Sequence, residues 1–282
     1  MKKPLVHDWM TQQVIKATPR LRLHDALRLM NRSNIRSLPV VEQDNLVGMV
    51  TKRDLLRSDV SSVMRDIWDQ YRQVGNLPLE KIMTKMVITI EADCTMARAA
   101  QILLENTITA LPVVNKDEKK MVGILTSTDL FRMFAQEFDV EREPAPVDAY
   151  MTRDVQTIKP ATTLLDAQRL MATHRFRALP VVDQGLLVGI VTRTDVLSAA
   201  PAHAEGADRY EIAKQVLTTP VRFIMTSSPI VVGEKEPVTQ AARLMAEHKI
   251  HSLPVVNAES SLVGMITETD VFKLIVNKFA LF

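Results

Sequence analysis

The chain has 282 residues, 46% of them hydrophobic and 24% charged, a balance typical of globular proteins. Its 35 basic and 33 acidic residues leave a formal net charge of +2, which argues against a nucleic-acid surface covering the whole chain. The single cysteine, Cys94, excludes an internal disulfide, and no apolar run is long enough for a signal peptide or a membrane span. We therefore expect a cytoplasmic protein without membrane contact.

One motif occurs four times: a glycine, two apolar residues, a threonine, two variable residues and an aspartate. The copies begin at Gly48, Gly123, Gly189 and Gly264. Each follows a Leu-Pro-Val-Val run by a few residues, and these runs begin at Leu38, Leu111, Leu179 and Leu253. Two motifs in a fixed order, repeated four times, indicate an array of one small repeat.

In chain order, every repeat opens with a Met-Thr pair, at Met10, Met83, Met151 and Met225. A short β-prone run follows, as at residues 155–158, and then apolar residues at helical spacing, such as Leu23, Ala26 and Met30. Two apolar strands come next, joined by a polar turn at residues 42–45 in the first repeat. The threonine ends the second strand, and a helix begins near the aspartate. Each repeat is therefore predicted as β-α-β-β-α, a mixed α/β (α+β) fold.

The spacing of the aspartates shows a second level of organisation. Asp54 and Asp195 are separated by 141 positions, as are Asp129 and Asp270, whereas successive aspartates are separated by 75, 66 and 75. The first two repeats thus form one pair and the last two another. We expect modules at 1–142 and 143–282, with repeats at about 1–60, 75–140, 143–200 and 216–282. The join at 61–74 has helical spacing, with Trp68 and Tyr71 predicted to pack against their own pair.

The Thr-x-x-Asp part of the motif has two interpretations. A threonine followed three residues later by an acid, just before a helix, is a capping box that stabilises the helix start. Alternatively, the helix start and hydroxyl favour a phosphate, and the carboxylate can accept hydrogen bonds from ribose hydroxyls. The use of aspartate in all four repeats favours the ribose role slightly. A cation also recurs three residues before the Leu-Pro-Val-Val proline in three repeats, as Arg36, Arg177 and His251, whereas the second repeat has Thr109.

The order of these motifs resembles the cystathionine-β-synthase (CBS) domain, and four copies cover nearly the whole chain. The resemblance implies two Bateman modules of paired domains that bind adenine nucleotides or related adenosyl ligands. The four-repeat layout looks like the gamma subunit of AMP-activated protein kinase. AMP, ADP or ATP is the expected ligand, with S-adenosylmethionine or NAD as alternatives.

The resemblance also implies roles for individual residues. The ribose hydroxyls would be held by Asp54, Asp129, Asp195 and Asp270. The phosphate would be approached by Thr51, Thr126, Thr192 and Thr267 and neutralised by Arg36, Arg177 and His251. The base would be bracketed by the opening β-runs, including Ile15, Ile88, Gln156 and Val231, and Thr157 would line the same site. From its cations Arg177, Arg193 and His251, we expect the second module to be the better nucleotide binder.

These inferences favour a regulatory nucleotide sensor over two other classes of protein. An enzyme is not expected, because the repeats leave no room for a catalytic domain, the six histidines lack metal-ligand spacing, and no glycine-rich phosphate loop is present. No metal and no catalytic cofactor are predicted. A ligand-free oligomerisation or partner-docking scaffold remains the alternative. The expected partners are an adenine nucleotide, a second copy of the chain in a homodimer, and an unidentified regulated protein.

Overall fold

The computed structural model describes residues 3–57, 76–116, 120–138, 145–199 and 215–279. The join predicted at 61–74, with Trp68 and Tyr71, lies outside these ranges. By its contacts the chain forms two compact units, one of Met1–Leu130 with Ile275–Phe282 and one of Phe131–Leu274.

Each repeat contains the predicted helix, hairpin of two strands and second helix in the predicted order. The first repeat has α1 (Val6–Trp9), α2 (Leu23–Arg32), β1 (Ser37–Glu42), β2 (Asn45–Thr51) and α3 (Lys52–Arg57). The second has β3 (Ile90–Glu91), α4 (Met96–Asn106), β4 (Ala110–Val114), β5 (Met121–Thr126) and α5 (Ser127–Glu137). The third has α6 (Leu164–Thr173), β6 (Ala178–Asp183), β7 (Leu186–Thr192) and α7 (Arg193–Ala199). The fourth has β8 (Thr226–Ser227), β9 (Val232–Gly233), α8 (Val238–His248), β10 (Ser252–Val256), β11 (Leu262–Thr267) and α9 (Glu268–Phe279). Short 3-10 turns open the last three repeats, at Leu79–Lys81, Val147–Ala149 and Val221–Phe223.

The opening strand is shorter than the sequence predicts. Two-residue strands β3 and β9 pair in parallel with β4 and β10, whereas the first and third repeats have only the single parallel bridges Ala17–Val40 and Ile158–Val181. Both Ala17 and Ile158 are buried, while Gln156 in the predicted 155–158 strand is exposed. Only the buried end of each run therefore joins the sheet. The mixed α/β (α+β) class and the tandem pairing are confirmed.

The core of each repeat lies between the hairpin and the helix that precedes it, which is α2 in the first repeat. In the first repeat Ala26 and Met30 on α2 pack with Leu38, Val40 and Val50 of β1 and β2, and all five are fully buried. The helical spacing read from the sequence therefore marks the face that packs on the sheet. The four hairpins also share a register shift after the same valine of the Leu-Pro-Val-Val run, Val40, Val113, Val181 and Val255.

The Met-Thr segment of each repeat pairs with the hairpin of its partner repeat. In one pair the main chain of Thr11 exchanges two hydrogen bonds of 2.9 Å with Ile124, and Thr84 exchanges bonds of 2.9 and 3.0 Å with Met49. In the other pair Thr152 exchanges two bonds of 2.9 Å with Met265, and β8 pairs antiparallel with β7. The second hairpin strand of every repeat thus gains a neighbour supplied by the other member of the pair.

The same exchange explains why the repeated motif begins with a glycine. A Cβ atom on the glycine would lie 2.4–2.6 Å from the Sδ atom of the partner's opening methionine, as it would for Gly48 and Met83, Gly123 and Met10, Gly189 and Met225, and Gly264 and Met151. Glycine therefore allows close approach between the two repeats, and not only within its own strand.

The helix that precedes the hairpin in each repeat, α2, α4, α6 or α8, also depends on the partner repeat. Its leading N–H donates to a carbonyl of the other repeat, in the pairs Leu23 to Leu77 (2.9 Å), Met96 to Pro4 (2.9 Å), Leu164 to Thr219 (3.0 Å) and Val238 to Ala145 (2.8 Å). An N–H at a helix start has no partner within its own helix, so the pairing satisfies a group that would otherwise need water.

We predict that Gly264→Ala destabilises the protein by about 1–3 kcal/mol, because the new Cβ would lie 2.4 Å from Met151 Sδ and 2.9 Å from the main-chain oxygen of Thr152. Denaturant unfolding of the parent and variant measures the loss. Gly233→Ala is the control, since its Cβ would meet mainly the Glu236 side chain, at 3.1 Å, and a side-chain end can move. Equal unfolding midpoints for Gly264→Ala and the parent would contradict this account of the glycine.

Candidate functional site

The threonine and aspartate of the motif form the same arrangement in every repeat. Each threonine directly precedes a helix, and one carboxylate oxygen, Oδ2 of the aspartate, accepts from both the N–H and the hydroxyl of the threonine. The two distances are 2.9 and 2.6 Å for Thr51–Asp54, 2.7 and 2.7 Å for Thr126–Asp129, 2.7 and 2.7 Å for Thr192–Asp195, and 2.9 and 2.8 Å for Thr267–Asp270. In the first and third repeats the aspartate N–H also donates to the threonine Oγ1, at 3.3 Å. This is the capping box that the sequence predicts as one interpretation.

The capping box uses donors that a phosphate would need. The threonine hydroxyl donates its proton to the carboxylate, so a bond from the same hydroxyl to a phosphate would require the first bond to open. The first N–H of the helix is also engaged, in the pairs Lys52 to Arg36 O (2.7 Å), Ser127 to Thr109 O (2.9 Å), Arg193 to Arg177 O (2.9 Å) and Glu268 to His251 O (2.9 Å). These bonds hold the position that carries a cation in three of the repeats, and Thr109 in the second, against the start of the motif helix.

The second carboxylate oxygen differs among the repeats. Oδ1 of Asp54, Asp195 and Asp270 accepts no hydrogen bond from any residue that the structure describes, and all three side chains are only partly buried. Asp129 is 3% exposed and makes a further interaction, so it offers less to a ligand. The first, third and fourth repeats therefore present a carboxylate oxygen that can accept hydrogen bonds from a ribose.

Two of the three predicted cations contact one buried carboxylate. Glu268, the first residue of α9, is 4% exposed; it forms an ion pair with Arg177, and its Oε2 lies 2.6 Å from His251 Nδ1. We call Arg177, His251 and Glu268 the Glu268 cluster. Glu268 is not among the residues predicted from the sequence, because it occupies a variable position of the motif; the available signal was that the other repeats have Lys52, Ser127 and Arg193 there.

An aromatic group borders the Glu268 cluster. The ring of Phe131 meets His251 edge-on, with centroids 6.0 Å apart, and stacks on Phe272 with centroids 5.9 Å apart. Both phenylalanines are buried. Apolar neighbours lower the local dielectric, so the charges of the cluster interact more strongly than they would at an exposed surface.

Arg193, a further cation of the second module, is held by its own repeat. Its guanidinium donates to the main-chain oxygens of Met171 (3.0 Å) and Phe176 (2.9 Å), at and just beyond the carboxyl end of α6, where a positive charge complements the helix dipole. The three cations that favour stronger nucleotide binding by the second module therefore all have protein partners. The ranking of the two modules stays a prediction.

The remaining predicted residues lie at the edges of the sheets. Arg36 lies beside the start of α3; the residue as a whole reaches solvent, but partial burial of its guanidinium lowers the pKa of this group from the ordinary value. Thr157 is half-buried next to Ile158, whose N–H donates to Pro180 O at 3.0 Å. Four residues predicted to bracket a base, Ile15, Ile88, Gln156 and Val231, are all exposed close to the opening strand of their repeats. Three of them therefore offer an apolar surface to solvent or to a ligand.

We predict that Asp195→Ala lowers the free energy of unfolding by about 1 kcal/mol, because it removes both acceptor bonds of a capping box. Asp195→Asn should cost less, since an amide oxygen can still accept from Thr192. The box of α6, in which Asp166 accepts from the Thr163 hydroxyl at 2.7 Å, provides the matched variants Asp166→Ala and Asp166→Asn. Urea unfolding would contradict the capping role if Asp195→Ala were as stable as the parent.

Two negative observations apply to the residues that the structure describes. Within those ranges no group of three or more histidine, cysteine, aspartate or glutamate side chains is arranged to hold a metal ion. No helix in the same ranges is both long enough and apolar enough to cross a membrane.

Comparison with known proteins identifies the family. An uncharacterised protein of Methanocaldococcus jannaschii, MJ1225, is 29% identical over 274 residues, which is 93% of this chain and 95% of that protein. Its crystal structure, described as that of a proposed archaeal homologue of g-AMPK, has a TM-score of 0.77 at 28% identity and covers 96% of this chain and 99% of that one. The structure of an uncharacterised conserved protein from Pyrococcus horikoshii has a TM-score of 0.64 at 26% identity, over 96% of this chain and 100% of that one.

The family model for the CBS domain matches this chain at residues 6–61, 79–136, 147–202 and 221–277. These segments contain all four Thr-x-x-Asp motifs and the residues of the Glu268 cluster. The chain therefore belongs to the CBS-domain family, with four CBS domains in two Bateman modules.

Proposed function

We propose that this protein is a non-catalytic regulatory sensor that binds adenine nucleotides at the starts of the motif helices. The main support for this proposal is that one carboxylate can cap its helix and still accept hydrogen bonds from a ligand. In Asp54, Asp195 and Asp270, Oδ2 caps the helix while Oδ1 accepts no hydrogen bond from the described residues. A carboxylate fixed in this way can accept hydrogen bonds from ribose hydroxyls without rearrangement.

Two further observations support an adenosyl ligand. The exposed apolar residues Ile15, Ile88 and Val231 provide a surface on which a base can pack. MJ1225, which is similar to this chain over almost its full length, is described as a proposed homologue of g-AMPK. AMP, ADP or ATP is therefore the first choice of ligand, and S-adenosylmethionine and NAD are the alternatives.

Regulation would act through the pairing of the repeats. A ligand that binds one packing of a pair more tightly than another shifts the population toward that packing. Because the paired repeats exchange main-chain hydrogen bonds, a change at one helix start is transmitted to the partner repeat. The altered surface would then be recognised by a second copy of the chain, in a cytoplasmic homodimer, or by a regulated protein.

A ligand-free docking scaffold is the second candidate, and the capping geometry favours it. The threonine hydroxyls and the first helical N–H groups already have protein partners, and Arg177 and His251 are paired with Glu268. A chain whose helix starts are satisfied in this way folds without a nucleotide. The two candidates differ in whether a ligand stabilises the protein.

We predict that an adenine nucleotide present at 100 times its dissociation constant adds about 2.7 kcal/mol of apparent stability, or roughly 5–10 °C in unfolding temperature. Thermal unfolding of the full chain against AMP, ADP, ATP, NAD and S-adenosylmethionine measures this shift. Asp195→Asn should weaken binding about tenfold, because one carboxylate oxygen facing the ribose is replaced by an NH₂ group.

Asp166→Asn is the matched control, since it changes the same kind of capping box in the same repeat at a position with no proposed ligand contact. A ligand shift reduced by Asp195→Asn and retained by Asp166→Asn would support the sensor. No shift with any of the five ligands, together with equal behaviour of the two variants, would reject the sensor in favour of the scaffold.

A further inference from the structure

An acidic residue stands at the first position of the motif helix in the fourth repeat only. The equivalent residues of the other repeats are Lys52, Ser127 and Arg193, whereas α9 begins with Glu268. A negative charge at a helix start is favourable, because the dipole and the leading N–H groups attract anions. Glu268 therefore places a carboxylate where a helix start would otherwise attract the phosphate of a ligand.

The surroundings of Glu268 are those of a bound anion. Its carboxylate is buried, one oxygen faces the Arg177 guanidinium, and the other lies 2.6 Å from His251 Nδ1. A buried carboxylate needs such partners, because its removal from water is costly unless it is paired and hydrogen-bonded. The two cations expected to neutralise a phosphate in the second module are thus already paired with one side chain of the protein.

A phosphate that entered between Arg177 and the start of α9 would meet two obstacles. It would have to compete with Glu268 for the guanidinium and the imidazole, and it would lie beside a second negative charge. Juxtaposed like charges in a partly desolvated site are strongly unfavourable. A ligand with an uncharged group in that place meets neither obstacle.

We infer that Glu268 is a specificity-determining residue that fills the anion position of the fourth repeat. This inference rests on the proposed function and narrows it for one site. The site beside Asp270 and Arg177 takes adenosyl ligands whose 5′ group is uncharged, such as adenosine, and discriminates against 5′-phosphates. Nucleotides with a phosphate then bind only to other repeats.

The test is titration calorimetry of the full chain with AMP and with adenosine, for the parent and for Glu268→Gln. The amide keeps the shape of the side chain and removes its charge, and Arg177, whose side chain is 41% exposed, can then be solvated by water. We expect Glu268→Gln to tighten AMP binding at this site by about tenfold or more, or to add one AMP site per chain, while adenosine binding changes by less than about twofold. Glu247→Gln, an exposed glutamate on α8, controls for net charge.

A second substitution tests whether the gained AMP binding occurs at the fourth repeat. Adding Asp270→Asn to Glu268→Gln should abolish the gained AMP binding, because it alters the carboxylate proposed to hold the ribose. Glu268→Ser, the residue type found in the second repeat, replaces Glu268→Gln if the latter does not fold. Unchanged AMP affinity in a folded Glu268 variant, or an equal gain for AMP and adenosine, would overturn the inference.

The experiment also separates this inference from the proposed function. If the parent chain bound neither AMP nor adenosine, the sensor proposal would fail. Glu268→Gln would still decide the inference in that case, since an AMP site that appears only in this variant supports it and the continued absence of binding overturns it.

Discussion

The structure depends on main-chain hydrogen bonds that each repeat cannot complete by itself. The second hairpin strand receives the Met-Thr segment of the partner repeat, and the leading N–H of the first helix donates to a partner carbonyl, as in Leu164 to Thr219. Unpaired backbone groups are costly when they are buried, so neither feature is stable in a lone repeat. The pair of repeats is therefore the smallest part of this chain in which these groups are satisfied, and the motif glycine is the residue that allows the pair to close.

The capping boxes also satisfy polar groups that would otherwise lack a partner in the fold. One aspartate oxygen satisfies the N–H and hydroxyl of the preceding threonine, as Asp270 does for Thr267, and this fixes the orientation of the whole carboxylate. A carboxylate that is already oriented loses little further freedom when a ligand binds to its other oxygen. Structural and ligand-binding roles are thus compatible at one residue. In the fourth repeat the adjacent Glu268 changes the charge of the site without changing this arrangement.

The sequence predicted the repeats, their pairing and the capping boxes, because these depend on local patterns at fixed spacing. It did not predict what the motif glycine packs against, since Gly264 and Met151 are far apart in the chain and meet only in the folded pair. The burial of Glu268 was also unpredictable, because its partners Arg177 and His251 occupy equivalent positions of two different repeats and meet at one carboxylate only in the folded pair. The lengths of the opening strands were overestimated, because β-propensity does not show which end of a run, Val155 or Ile158, is buried.

The exchange of Met-Thr segments makes each repeat self-complementary. A single repeat carries both the methionine that is donated and the glycine that receives it, so two identical copies could associate about a twofold axis with every contact made twice. Joining two copies in one chain converts that association into an intramolecular one with a high effective concentration. It also removes the requirement of symmetry, under which a buried acid such as Glu268 would appear in both copies at once. Covalent linkage of the repeats is thus what permits one of four related sites to differ from the others in charge.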